Sequence, residues 1–236
     1  MDLKESFISR EEAARHWYYQ SKANAMLHSL RDITFDSATD IGAGSGFFAE
    51  QLLQASPIPE AICLDTGYER DREEAVGNKR LIYRRELATI DTNLVLMMDV
   101  LEHIEDDLGF LKDCVGKAAT GTHFFITVPA FQFLWSGHDV YLEHFRRYNL
   151  SEIKKLVKAA GLEVIRGHYY FGALFPVPLI TRLIERILHK QHTGSKLKHH
   201  HPLINRVAHT ICRAEIPLMR LNKLAGLTAV VLARKP

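Results

Sequence analysis

Between Asp40 and Gly46 the chain reads Asp-Ile-Gly-Ala-Gly-Ser-Gly, with glycine at three alternate positions. Few backbones use such a run. Glycine adopts positive φ at low cost and leaves no Cβ in the path of a ligand. The run follows Phe35–Ile41, which leads into a short strand, and precedes Phe47–Gln54, which reads as a helix. A helix N-terminus behind a glycine turn presents free N–H groups and a partial positive charge. Asp65 lies 19 residues past Gly46, after the apolar stretch Ala61–Leu64. A carboxylate at that point can accept both hydroxyls of a ribose. The plain alternative is a glycine turn with no ligand, and the register of Asp65 argues against it.

The rest of the chain alternates strand and helix patterns, which argues for an α/β fold with a mostly parallel sheet covered on both faces. Ser9 and Glu12 fit a capping box that opens a helix running to about Leu30. Strands are expected at 61–64, 81–83, 94–98 and 123–128, from 162 onward, and at 227–232. Helices are expected at 106–117 and at 151–160, the latter stopped by Gly161. The expected division is a helical segment at 1–34, a core at 35–170, an insertion at 171–224 and a final strand at 225–236.

Composition is ordinary for a globular chain of 236 residues, and the formal charge is only +2. Such a balance does not point to a nucleic-acid partner. It conceals an uneven distribution, however. Thr181–Lys223 holds nine Lys/Arg against two acids, a net +7, with six of the thirteen His, and the remainder carries −5. Cys63, Cys114 and Cys212 are far apart and fit reduced, buried thiols. No apolar run follows a basic start, and no stretch reaches the ~18 apolar residues of a spanning helix. A cytoplasmic location is expected, with association at a membrane surface as the variant.

The turn reads GxGxG behind an acid rather than GxGxxG, and so resembles motif I of the class I S-adenosylmethionine (SAM) dependent methyltransferases. Three further segments carry the same likeness. Asp99-Val100-Leu101-Glu102-His103 resembles that family's DVLEH segment. His16-Trp17-Tyr18 with Lys22 resembles a bacterial branch's HWW/HFW…R helix, although arginine is usual where Lys22 stands. Val128-Pro129-Ala130, then His138-Asp139 and His144-Phe145-Arg146-Arg147-Tyr148, resemble the same branch's VPA and GH-RRY block. The resemblance implies a Rossmann-like sheet of seven strands with a helical insertion before the last. It implies SAM as cofactor and S-adenosylhomocysteine as product. It places Trp17, Lys22, Asp40, Gly42, Gly44, Gly46, Asp65 and Asp99 around SAM. Family members often carry an Asp for the adenine amino group after the third strand, and Glu86 is the candidate to substitute for it.

His103 and His144 are the candidate general bases for an acceptor hydroxyl, and Asp139, Arg147 and Tyr148 the candidate acceptor contacts. Capping, packing and ion pairing are the plainer roles for all of these. Asp99, Glu102 and His103 also resemble the E-x-x-E-H metal set of other O-methyltransferases, with His138 or His144 as a further ligand. The expected acceptor is a small molecule, a glycan or a lipid-linked compound. A non-catalytic SAM-binding module and a nucleic-acid methyltransferase are the alternatives. The second lacks the Asn-Pro-Pro-aromatic motif at 99–102.

The insertion shows two amphipathic patterns. One comprises Ile180, Leu183, Ile184, Ile187 and Leu188, and the other Ile204, Val207, Ala208, Ile211 and Cys212. Packing as a helical cap with the polar faces in water is the expectation. Interfacial binding to an anionic membrane, or a lid over an anionic acceptor, would be the alternatives.

Overall fold

The computed structural model describes residues 9–188 and 202–236. The His-rich run at 199–201, and the basic loop to which it belongs, lie outside the described residues. Eight strands form one sheet: β1 (Ala38–Ile41), β2 (Glu60–Leu64), β3 (Arg72–Val76), β4 (Lys79–Arg84), β5 (Leu94–Met98), β6 (His123–Pro129), β7 (Glu163–Tyr170) and β8 (Thr228–Arg234). Their spatial order is β3-β4-β2-β1-β5-β6-β8-β7. Strands β4, β2, β1, β5 and β6 run parallel, whereas β8 runs antiparallel to both β6 and β7.

The helices are α1 (Arg10–Arg15), α2 (Trp17–Leu30), α3 (Phe47–Ala55), α4 (Asp107–Lys117), α5 (Gly137–Tyr141), α6 (Leu150–Ala159), α7 (Pro176–Ile187) and α8 (Pro202–Glu215). They divide the core into two layers. Phe47, Leu52 and Leu53 of α3 pack with α2 on one face of the sheet. Leu111 and Val115 of α4, with Ile153 and Val157 of α6, cover the other. Every residue of β5 is buried, as a central strand with a covered sheet on both sides requires.

Three expectations need correction. The sheet has eight strands rather than seven, because β3 pairs antiparallel with β4 at the edge. A two-residue turn joins them, with Gly77 in the left-handed region at φ +64°. Strand β3 reads Arg-Glu-Glu-Ala-Val and offers almost no hydrophobic periodicity; ion pairs such as Arg84–Glu73 support it instead. The first helix is broken. The Ser9–Glu12 capping box forms, but His16 leaves the helical region (φ −91°, ψ 127°) and ends α1. Its Nδ1 then accepts the Tyr18 N–H at 3.2 Å, so the same residue caps α2. The break re-aims Trp17 and Tyr18 toward the strand ends.

The third correction concerns the insertion. In α7, Pro178, Leu179, Arg182 and Glu185 are sheltered, and Arg182 pairs with Glu185. Val177, Ile180, Leu183, Ile184 and Ile187 are exposed. In α8 the sheltered side is Asn205, Ala208, His209 and Cys212, while Leu203, Ile204, Val207 and Ile211 are exposed. Both helices turn apolar side chains outward, alongside Thr181 on α7 and Arg206, Thr210 and Arg213 on α8.

Candidate active site

The site lies at the C-terminal ends of the parallel strands, where open α/β sheets place ligands. Four non-glycine residues there or nearby have positive φ: Asp99 after β5 (56°), Phe131 after β6 (61°), Phe171 after β7 (61°) and Glu143 just before His144 (61°). Such residues cost ~1–3 kcal/mol each and concentrate at functional sites.

The glycine turn has the expected form. Gly42, Gly44 and Gly46 have φ of 69°, 52° and 79°. At Gly46 a Cβ would lie 2.9 Å from the Tyr83 hydroxyl oxygen, so neither the backbone nor the packing admits a side chain. Asp65 meets the turn directly: its Oδ2 accepts from the Gly44 N–H and its Oδ1 from the Gly67 N–H, both at 2.9 Å. Each oxygen keeps a second lone pair for a hydroxyl donor. A cavity of about 840 Å³ opens beside them, lined by Gly42, Asp65, Glu86, Val100, His103 and Ile104 among others. Glu86 is exposed on its rim. Asp40 is buried beneath the turn, where burial pushes its carboxyl up to about 7. A buried acid in that state favours a cation nearby.

Asp99 sits across the strand ends. Lys22, 2% exposed, forms a close ion pair with it. Asp99 Oδ1 also accepts from Thr127 Oγ at 3.0 Å, and Oδ2 lies 3.4 Å from the Tyr18 hydroxyl. Thr127 was not anticipated. Its signal is the one hydroxyl in the apolar run Phe124–Val128. Tyr18 stacks on Phe171 with ring centroids 5.4 Å apart, and Trp17 meets Phe171 edge-on at 5.9 Å. These aromatics wall the Asp99 side of the site.

The second half of the site is built on Asp139. This carboxylate is fully buried. Arg147 grips it with Nε at 2.6 Å and Nη2 at 3.1 Å, and Ser136 donates N–H at 2.8 Å and Oγ–H at 3.0 Å. His144 Nδ1 lies 3.0 Å from Oδ1. Burial works against ionisation, but the His144 hydrogen bond and the Arg147 guanidinium outweigh it and hold the carboxyl well below its usual range. An ionised carboxylate only accepts, so Nδ1 is the donor, and in the neutral imidazole Nε2 carries the lone pair. The Phe145 N–H donates to the Glu102 carbonyl at 2.7 Å and brings this loop against the end of β5. His103 and His144 then meet edge to face, centroids 4.6 Å apart. Because His103 also lines the cavity, the two halves join there.

Tyr148 is buried rather than presented to the cavity. Its hydroxyl lies 2.7 Å from Asp107 Oδ2 and 3.2 Å from the Leu101 carbonyl. Ligand atoms of Glu102, His103 and His144 all lie within 4.8 Å of one another, a grouping compatible with a divalent ion. Asp99 is outside it, engaged by Lys22 and Thr127.

The family model described as a methyltransferase domain matches residues 14–166. The chain belongs to that family. Three solved structures show the same fold across nearly the whole chain. The [4+2]-cyclase SpnF aligns at TM-score 0.54 and 12% identity, over 92% of this chain and 81% of its own. The Haemonchus contortus phosphoethanolamine N-methyltransferase 2, solved with SAM, aligns at 0.53 and 15%, over 90% and 52%. A complex of the Haloferax volcanii Trm112 methyltransferase activator with its methyltransferase partner aligns at 0.52 and 15%, over 93% and 94%. No curated protein matches in sequence. Identities this low speak for the fold alone.

Proposed function

We propose that this methyltransferase transfers a methyl group from SAM to an acceptor oxygen, with His144 as the general base. The observation that carries this reading is the buried Asp139–His144 pair, joined through His103 to the cavity that the glycine turn and Asp65 line. The residues present fit SAM. Gly42 and Gly44 leave the backbone open to it, Asp65 suits the ribose, Glu86 the adenine edge, and buried Asp40 the cationic end. Bound SAM supplies a methyl group on a sulfonium, already an active donor. The protein's task is then to place the nucleophile, which contributes ~7–11 kcal/mol when the geometry is right.

In this reading Asp139 and Arg147 position His144, and Tyr148 positions the loop after β5 through Leu101 and Asp107. They do not touch the acceptor. Asp139 fixes the tautomer, and His144 Nε2 takes the acceptor proton. A base so placed contributes ~10²–10⁴ in rate. Lys22 keeps Asp99 oriented at the methionyl side, and Trp17, Tyr18 and Phe171 exclude water there. The acceptor class is a small molecule or a lipid- or glycan-linked hydroxyl.

The Glu102–His103–His144 grouping favours a second reading, in which a divalent ion held there meets the acceptor oxygen. Its outer support would be Asp139, bonded to the far nitrogen of His144. The deciding experiment supplies methyl-labelled SAM with a bacterial extract divided into lipid, glycan, small-molecule, protein and nucleic-acid fractions. Label in an alkali-stable ether, undiminished by chelator, supports the base reading. Loss with chelator and rescue by Mg²⁺ or Mn²⁺ supports the metal. Label only in nucleic acid, or SAM binding with no labelled fraction, overturns both.

A further inference from the structure

We propose that α7, α8 and the segment leading to β8 form a docking face for an anionic lipid bilayer. Among the described residues, thirteen of the eighteen exposed large hydrophobic side chains fall between Val177 and Leu224. They are not scattered. On α7, Val177, Ile180, Ile184 and Ile187 share one side, at helical offsets of 3, 7 and 10 residues, and Ile187 is 75% exposed. On α8, Leu203, Val207 and Ile211 repeat the arrangement at offsets of 4 and 8. Leu218, Leu221 and Leu224 extend the exposed apolar surface toward β8. Patches of this extent mark an interaction surface.

On α8, Asn205, His209 and Glu215 are held inward by the body of the protein, which leaves Leu203, Val207 and Ile211 facing out. Asn205 of α8 accepts the Trp17 N–H at 2.8 Å and donates to the Arg15 carbonyl at 2.9 Å, and His209 lies 3.3 Å from Asn24. Glu215 accepts the N–H groups of Gly172 and Ala173 at 2.8 and 3.1 Å, which ties the end of α8 to the start of the α7 loop. Five contacts of this kind anchor α8 by one side. Such an anchor presents its hydrophobic side to whatever lies outside.

Charge selects the occupant. Arg206 and Arg213 are exposed along one flank of the apolar side of α8. Thr181–Lys223 as a whole carries +7, against −5 for the rest. Two copies meeting through α8 would bring Arg206 and Arg213 of one against those of the other. An anionic leaflet instead complements the charge, takes the apolar side chains at the acyl boundary and needs no spanning helix. No helix among the described residues is long and apolar enough to cross a membrane. The inference stands apart from the catalytic reading, since it uses no residue of the cavity.

The test uses the whole protein and sedimentation with vesicles of phosphatidylcholine, alone or with about 30% phosphatidylglycerol. The expected result is binding to the anionic vesicles that weakens as salt rises from about 0.1 to 0.5 M. The paired substitution Ile184→Glu with Ile187→Glu, and separately Arg206→Glu with Arg213→Glu, should each reduce binding about tenfold or more while SAM affinity stays unchanged. Equal binding to neutral vesicles, or no binding to either, overturns the proposal. A concentration-dependent dimer that the Ile184/Ile187 variant abolishes, without vesicle binding, assigns the face to a second copy instead.

Discussion

Two buried carboxylates, Asp40 and Asp139, have opposite surroundings, and the contrast separates the two halves of the site. Asp139 receives a guanidinium, an imidazole and two donors from Ser136, and burial fails to neutralise it. Among the described residues no guanidinium, ammonium or imidazole bonds the Asp40 carboxyl, and burial pushes it up to about 7. The Asp139 half is complete within the chain, so its groups serve to hold another residue in place. The Asp40 half favours a positive charge from outside, which a sulfonium or an ammonium would bring. A buried acid with all its partners positions; one without a cation recruits.

The largest expected effect breaks the Asp139 half. His144→Ala should lower methyl transfer to the labelled fraction by ~10²–10⁴ and leave SAM affinity, read by calorimetry, unaltered. Unchanged turnover would remove His144 as base. Next is Lys22→Met, which strands Asp99 beneath the aromatic wall. Removing one partner of a buried pair costs ~3–5 kcal/mol, measurable as a fall in denaturant midpoint. Adding Asp99→Asn should recover most of that loss. If the single variant is as stable as wild type, the pair is not holding the end of β5.

How much of this was legible in the sequence follows the same divide. The glycine turn and the apolar run of β5 are local signals, since each depends on residues within a few positions of one another, and Asp65 is read from its distance past that turn. They appear in the structure where the pattern puts them. The eighth strand was not legible because β3 opens with three charged residues, has no apolar alternation and is fixed by pairing with β4. The Asp139–His144–Arg147 cluster was visible as a dense loop, but not its internal direction, because burial decides which groups face each other and which face the cavity. The same holds for α7 and α8. Periodicity correctly marks an apolar side, but only the tertiary positions of Asn205, His209 and Glu215 reveal that this side points outward.

A third prediction separates acid sensitivity of the fold from that of the site. His168 on β7 is buried, and burial, then Lys223 and Arg166, push its imidazole down to about 3 from 6.5. A depressed histidine contributes stability above its unfolded pKa and loses it as pH falls from 6.5 toward 3. Between pH 6.5 and 5 the loss should be about 2 kcal/mol. His168→Leu should flatten that part of the stability profile, followed by urea midpoints across the range. An unflattened profile would place the acid-sensitive group elsewhere.

The smallest effect tests the Asp40 half. Its folded pKa of about 7 lies above the ordinary 3.8, so its contribution to stability is fully present below 3.8 and lost as pH rises through 7. Binding of a cationic ligand runs the other way, because ionised Asp40 attracts the cation and protonated Asp40 does not. SAM affinity should therefore improve as pH rises through 7 and weaken by up to about tenfold per unit below it. Asp40→Asn should remove that dependence and leave the weaker affinity across the range. Titration calorimetry in two buffers of different ionisation enthalpy would register the proton released on binding near pH 6. A wild-type curve that superimposes on the Asn variant would mean that Asp40 stays protonated with SAM bound. The contrast with Asp139 would then be one of packing, not of charge.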